Sequence, residues 1–259
     1  LAPGEVAVRA NFATIEHREG KFLITDRRAG RITKGTHELA EALTNVDLGD
    51  GITGRFLPTD QHRGVIILSG PGLHDAISDT DPGDLNVPAV LKICQPLEPE
   101  AELTAVKVNR FIIEAHQLLA DHPVNATRVR DGKLPANGLI TRGAGSRFEL
   151  DNALIKQGLK VALVSGCNTV LGLGSIFGFD VITDERFTAD IDTDLDAKIW
   201  AVRKALNKND LVYVHIKAPD ICSHDRQPLA KRDFLQRIDQ SLKPLLESGA
   251  TIAVAADHT

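Results

Sequence analysis

The sequence predicts an α/β protein with a mostly parallel sheet, helices on both of its faces, and an additional α+β domain. Three observations favour this class. From Gly138 onward, strand-like and helix-like segments alternate, which is the pattern of a parallel sheet covered by helices. Through Val90 the chain is instead a series of short strands and turns with one helix. With 259 residues, 42% of them hydrophobic, the chain can bury two modest cores.

The strands of the first half are marked by alternating side chains or by an apolar run, and they are residues 6–12, 21–25 and 64–68. The first two can pair as a hairpin. Thr36 can cap a short helix that ends at Leu43. Apolar residues at helical spacing predict a long helix over residues 100–119. We interpret the polar segment 121–138 as the return between two domains, residues 1–137 and 138–259.

The second half contains predicted strands at residues 138–141, 160–164, 180–183, 211–217 and 251–255. The predicted helices between them are residues 150–157, 171–177, 195–206 and 229–246. In open parallel sheets, ligands bind beyond the carboxyl ends of the strands. Side chains that directly follow these strands are therefore the first candidates for a functional site.

Composition excludes several functional classes. The formal net charge of -5 and the lack of a basic run argue against nonspecific nucleic-acid binding. No apolar run approaches the length of a membrane span, and the N-terminal residues lack the pattern of a signal peptide, so we expect a cytoplasmic protein. The chain contains no methionine and ends at Thr259 just after a strand-like run, so we expect it to be an interior piece of a longer protein.

Two Asp/His pairs follow predicted strands. Asp220 and His224 lie in the segment after residues 211–217, and Asp257 and His258 come directly after residues 251–255. Carboxylate and imidazole ligands together suit manganese or zinc better than calcium. A pair of such ions about 4 Å apart can hold the attacking and leaving oxygens of a phosphoryl transfer. The alternative is that Asp220 caps a turn and His224 is a solvated loop residue.

Arginines form a second candidate group. The segment TDRRAGR contains Arg27, Arg28 and Arg31, while Arg9 lies on the first strand and Arg142 in TRGAG. Guanidinium groups bind phosphate in a bidentate manner, so either cluster could hold an anion. A solvated basic turn remains the alternative for Arg27 and Arg28. Four nearby polar residues could line the same cleft, but we favour ordinary loop positions for them: His62, Arg63, Asp79 and Asp81.

The segments VRANFAT, TDRRAGR, AHQLLADHPVN, GKLPANGLITRGAG, VHIKAPDICSHD and ADHT resemble the archaeal-type 2,3-bisphosphoglycerate-independent phosphoglycerate mutases of the alkaline phosphatase superfamily. The likeness runs from Gly4 to Thr259 in unbroken order. It implies an enzyme that interconverts 3-phosphoglycerate and 2-phosphoglycerate in glycolysis and gluconeogenesis through a phosphoserine intermediate. It also implies that residues 138–259 are part of an alkaline phosphatase-like core and that residues 1–137 form an inserted lid domain.

The resemblance further implies roles for individual residues. The motif KxxDxxxHD, here Lys217, Asp220, His224 and Asp225, supplies ligands to one metal ion, and the pair Asp257 and His258 supplies ligands to the other. The ions would be manganese or zinc, with magnesium or cobalt also possible, and no bisphosphoglycerate would be needed. The implied contacts to the phosphoglycerate substrate are Arg9, Arg28, Arg31, Arg142 and Lys156.

The nucleophilic serine of that family would lie upstream of Leu1, so we expect the chain to be inactive by itself. Two other functions stay open at this point. A phosphatase or another phosphomutase of the same superfamily would use the same metals and serine. A noncatalytic protein that binds a phosphorylated metabolite would need neither. The sequence predicts no particular oligomeric state.

Overall fold

The computed structural model describes residues 1–59, 61–83, 87–148 and 150–256. The chain divides into two compact units, Leu1–Arg147 and Phe148–Thr259. This division lies after the predicted boundary at residue 137, because the strand that begins at Gly138 pairs within the first unit. No helix in the described part of the chain is long and apolar enough to span a bilayer.

The first unit contains an antiparallel sheet of seven described strands. The strands are β1 Val6–Arg18, β2 Lys21–Asp26, β3 Val46–Asp47, β4 Thr53–Pro58, β5 Arg63–Ser69, β6 Ala89–Val90 and β7 Gly138–Ser146. Their order in the sheet is β3-β4-β5-β1-β2-β6, with β7 also paired to β1. The predicted hairpin of β1 and β2 is confirmed by their antiparallel register.

Strand β1 organises this sheet because its 13 residues pair with three other strands. Its alternation sends Val8, Ala10 and Phe12 into the main core of the unit. Arg9 is exposed on the opposite face. The face that carries Arg9 is therefore the face on which a polar ligand can be bound.

The helices of the first unit are α1 Thr36–Glu41, α2 Glu102–Ala120 and α3 Pro123–Arg130, and a 3-10 turn, Pro99–Ala101, precedes α2. The apolar stripe of α2 is buried, as its spacing predicted. Two local predictions were wrong. Thr36 does not cap α1, because Gly35 occupies the cap with φ +85° and Thr36 is the first helical residue. Part of the predicted loop 121–138 is α3, because the His122 side chain accepts a hydrogen bond from Val124 N and Pro123 occupies the first turn.

The second unit contains a parallel sheet of three described strands, β8 Val161–Val164, β9 Asp180–Ile182 and β10 Leu211–Val214. Their order in the sheet is β10-β8-β9. The helices are α4 Ala153–Lys156, α5 Asn168–Ile176, α6 Leu195–Leu206, α7 Ala218–His224 and α8 Pro228–Leu246. Its main core forms where β8 packs against α6 and α8, through Val164, Ile199, Val202 and Leu245.

The prediction of a mostly parallel sheet therefore applies only to the second unit, since the larger sheet is antiparallel. Residues 138–141 were assigned to the parallel sheet, but β7 runs antiparallel to β1. A run of buried residues does not distinguish the two directions. Residues 251–255 were predicted as a strand, but the described residues 251–256 are exposed and form no strand.

The centre of the antiparallel sheet has no room for a side chain at Gly64. A Cβ there would lie 2.2 Å from Phe56 Cζ and 2.7 Å from the Leu57 carbonyl oxygen. We predict that Gly64→Ala lowers the free energy of unfolding by about 1–3 kcal/mol, because the ring and the backbone must both shift. Gly145→Ala on β7 is the control, since a Cβ there meets nothing within 4 Å. Urea unfolding followed by circular dichroism measures both, and equal stability of the two variants would contradict this packing.

Candidate functional site

Two of the predicted arginines lie directly opposite each other on the exposed face of the first sheet. Arg9 of β1 pairs with Arg142 of β7 in the antiparallel register. Like charges in this position repel each other and destabilise the sheet unless something compensates them. Arg63 of β5 lies opposite Asn11, two residues along β1, so it shares the same face. The sheet thus collects three guanidinium groups on one side.

A β-bulge sets the position of Arg142. Val8 pairs with Ala144 and Arg9 pairs with Arg142, which leaves Gly143 as an extra residue on β7. Gly143 has φ +64°, a conformation that favours glycine. Its N–H donates to Asp79 Oδ1 at 2.8 Å. Gly143 therefore lets β7 bend beside Arg142.

The loop SDTD is locked onto β7 next to Arg142. The backbone N–H groups of Thr80 and Asp81 both donate to the Thr141 carbonyl oxygen, at 3.0 and 3.1 Å. The Thr80 and Thr141 hydroxyls lie 2.9 Å apart, and Thr141 N donates to Thr80 Oγ1 at 2.9 Å. Thr80 and Thr141 are fully buried. This network fixes the backbone on both sides of the arginine.

The same loop places a buried carboxylate between two guanidinium groups. Asp81 Oδ2 lies 2.5 Å from Arg27 Nη2 and 3.7 Å from Arg142 Nε. The Asp81 side chain is only 2% exposed, whereas that of Arg142 is 42% exposed. Arg27 thus has a structural role, and Asp81 orients Arg142 while leaving much of its side chain accessible.

Arg28 and Arg31 lie in the turn that follows β2. Asp26 Oδ1 accepts hydrogen bonds from Arg28 N at 2.8 Å and Gly30 N at 2.9 Å. Arg128 donates to the Ala29 carbonyl oxygen at 2.8 Å, which ties the turn to α3. Both Arg28 and Arg31 are exposed. The turn is therefore well anchored while its cationic side chains remain available.

His62 belongs to the same region, although its sequence context favoured an ordinary loop position. It is 4% exposed and directly precedes β5. Burial lowers its pKa to about 4, with further lowering by the charges of Arg63, Arg28 and Arg31 and an opposing effect of Asp26. His62 is therefore neutral at pH 7.

A cavity of about 1190 Å³ also lies in the first unit. Asp79 and Asp81 are on its wall, but most of its lining is apolar, including Phe22, Leu91 and Ile112. Among its described lining residues none is an arginine. The exposed arginines therefore do not line this cavity.

In the second unit, Asp220 and His224 lie on helix α7 and not in the predicted loop, because Pro219 starts a helical turn soon after β10. Their spacing brings His224 Nε2 to 3.4 Å from Asp220 Oδ1. Lys217 Nζ forms an ion pair with Asp220 Oδ2. Cys222 is buried at 2% exposure. The predicted pair is thus close enough for its two side chains to share one ligand.

The remainder of the predicted metal site is not described. Asp257 and His258 lie outside the described residues. Within the part of the chain that is described, no group of three or more His, Cys, Asp or Glu side chains could hold a metal ion. Lys156, on α4, is exposed and its Nζ lies 2.7 Å from Asp151 Oδ2. It belongs to a different unit from the four arginines.

Comparison with known proteins shows which family this chain resembles. Residues 1–125 match the family model described as 2,3-bisphosphoglycerate-independent phosphoglycerate mutase. Proteins of that name from Archaeoglobus fulgidus and Methanopyrus kandleri are each 38% identical to the chain over all of its length. The chain spans 64% and 63% of the length of these two relatives.

Solved structures give the same result. The cofactor-independent phosphoglycerate mutase from Thermoplasma acidophilum is 35% identical, with a TM-score of 0.66 over 95% of this chain and 63% of the other. The PH0037 protein from Pyrococcus horikoshii shares the fold, with a TM-score of 0.73 at 24% identity over 95% of this chain and 56% of the other. By its sequence and its fold, the chain is similar to 2,3-bisphosphoglycerate-independent phosphoglycerate mutases over slightly less than two thirds of their length.

Proposed function

We propose that this chain is part of a metal-dependent phosphoglycerate mutase, which interconverts 3-phosphoglycerate and 2-phosphoglycerate without bisphosphoglycerate. The observation that carries the proposal is the cross-strand pair of Arg9 and Arg142. Two guanidinium groups held opposite each other repel, and a bound oxyanion removes that penalty. A phosphoglycerate supplies two anionic groups, one phosphate and one carboxylate. The named relatives support the choice of this substrate.

In this proposal the arginines position the substrate. Arg9 and Arg142 bind one anionic group, and Arg28 and Arg31 bind the other. Asp81 keeps the guanidinium of Arg142 oriented, because it is buried and bonded to Arg27 as well. Positioning of this kind accounts for much of the catalysis of phosphoryl transfer.

The proposal also assigns a role to each unit. The first unit acts as a lid that carries the arginines, and the second is part of the core that holds the metals. Exclusion of water during the reaction separates a mutase from a phosphatase, because water would otherwise accept the phosphoryl group. We propose that the enzyme acts in glycolysis and gluconeogenesis in the cytoplasm.

The metal ligands available here fit half of such a site. Asp220 and His224 offer a carboxylate and an imidazole 3.4 Å apart, a donor set that suits manganese or zinc, with magnesium or cobalt as alternatives. Asp257 and His258 would hold a second ion. When bound, divalent ions neutralise phosphoryl charge and activate a hydroxyl nucleophile. The proposal places the serine that accepts the phosphoryl group upstream of Leu1, so the assays use the full-length protein.

We predict that Arg9→Gln and Arg142→Gln each reduce kcat/KM for 3-phosphoglycerate by about 10- to 150-fold, because each removes a charge-assisted hydrogen bond of about 1.5–3 kcal/mol. Formation of 2-phosphoglycerate and release of free phosphate are measured in the same reaction. Arg18→Gln is the control, since the Arg18 side chain is 65% exposed and pairs locally with Glu16. Activity of either site variant equal to that of Arg18→Gln would count against the arginine site.

The same assay distinguishes the alternatives. Release of phosphate without 2-phosphoglycerate would make the protein a phosphatase and overturn the proposal. Binding of 3-phosphoglycerate without turnover by the wild-type, metal-loaded protein would indicate a noncatalytic binding protein. A mutase gives 2-phosphoglycerate with little free phosphate.

We predict that Asp220→Asn lowers the metal content of the purified full-length protein by about one ion per chain and abolishes mutase activity, because a neutral amide is a much weaker ligand. Elemental analysis by mass spectrometry measures the manganese and zinc content. Asp233→Asn is the matched control, since Asp233 is 58% exposed and pairs with the adjacent Arg232. An unchanged metal content in Asp220→Asn would remove this residue from the site.

A further inference from the structure

The buried imidazole of His62 is not used by the interactions described so far. The backbone of His62 is held in place, because its carbonyl oxygen accepts a hydrogen bond from Phe12 N at 2.7 Å. Its side chain is enclosed, and Nδ1 makes no hydrogen bond with any residue that the structure describes. A buried polar atom without a partner costs about 1–3 kcal/mol, and folded proteins rarely contain one. Such an atom calls for a specific explanation.

The charges around His62 indicate which kind of ligand would explain its unpartnered Nδ1. Arg63 of β5 and Arg28 and Arg31 of the turn after β2 are close enough to act on its ionisation, and Asp26 is the opposing carboxylate. Asp26 already accepts hydrogen bonds from two backbone N–H groups of its own turn. Among the residues that the structure describes, the surroundings therefore contain more positive than negative charge. An oxyanion is the ligand that such surroundings bind.

We propose that His62 belongs to the same anion site as Arg28, Arg31 and Arg63, and that its imidazole takes up a proton when a phosphate or carboxylate group binds there. The proposal rests on the proposed function and names a further positioning residue for its substrate. The proton comes from solvent and ends on the ring. The cationic ring then donates hydrogen bonds to the anion and contributes a fourth positive charge.

The direction of this coupling follows from electrostatics. In the free protein, burial and the three arginines oppose protonation of His62 and hold its pKa at about 4. A bound anion offsets the arginine charges and stabilises the imidazolium, so the pKa of the ring rises towards its ordinary value of about 6.5. By linkage, the anion binds more tightly as the pH falls between these values.

Isothermal titration of the metal-free full-length protein with sulfate tests the proposal, because sulfate keeps its charge between pH 5.5 and pH 7.5. We expect wild-type protein to bind sulfate about tenfold more tightly at pH 5.5 than at pH 7.5, with uptake of about one proton at the lower pH. His62→Gln should lose the pH dependence. His37→Gln, at an exposed position on α1, is the control and should retain it.

Sulfate affinity that does not change with pH in the wild-type protein would overturn the proposal, as would full pH dependence in His62→Gln. If His62→Gln does not fold, the proposal is tested on the wild-type protein alone, by measuring proton uptake on sulfate binding in buffers of different ionisation enthalpy. Proton uptake near zero at pH 5.5 would contradict the proposed protonation of His62. Sulfate binding requires no turnover. Failure of the mutase assay and failure of this coupling are therefore separate results.

Discussion

The arrangement of the first unit depends on one buried carboxylate. Asp81 contacts both Arg27 and Arg142, and it lies in a loop that Thr80 locks to Thr141. A buried carboxylate is stable only if cations or hydrogen bonds compensate it, so Asp81 and its arginines constrain one another. The consequence is that Arg142 is held opposite Arg9 although the two repel. In the proposed function, a bound anion offsets this repulsion.

The local pattern of apolar and polar residues predicted much of the secondary structure, but it did not predict the direction in which the strands pair. The helix α6 and the hairpin of β1 and β2 follow directly from periodicity. The direction of β7 does not, because its first four residues are all buried and such a run is compatible with either sheet type. The helix α3 was missed because the polar segment 121–138 was interpreted as a connection between domains, whereas His122 and Pro123 start a helix.

The candidate site was predictable where residues carry a motif and not where they act through distant partners. Arg9, Arg28, Arg31 and Arg142 came from segments whose resemblance to a known family is specific as a set. Asp81 had no such segment, since its partner Arg27 is 54 residues away in sequence. His62 is similar, because its significance lies in its burial and in the charges of Arg28 and Arg31 in the turn after β2. These contacts cannot be predicted from the spacing of the residues along the chain.

The central claim is that the opposed pair Arg9 and Arg142 is an anion site, and the free energy of unfolding tests it directly. The measurement compares wild-type full-length protein with Arg9→Gln at low ionic strength, with and without sulfate. Without sulfate, Arg9→Gln should be at least as stable as wild type, because the substitution relieves repulsion. Sulfate should then stabilise wild type more than the variant. A variant that is less stable without sulfate, and that sulfate stabilises as much as wild type, would contradict the account.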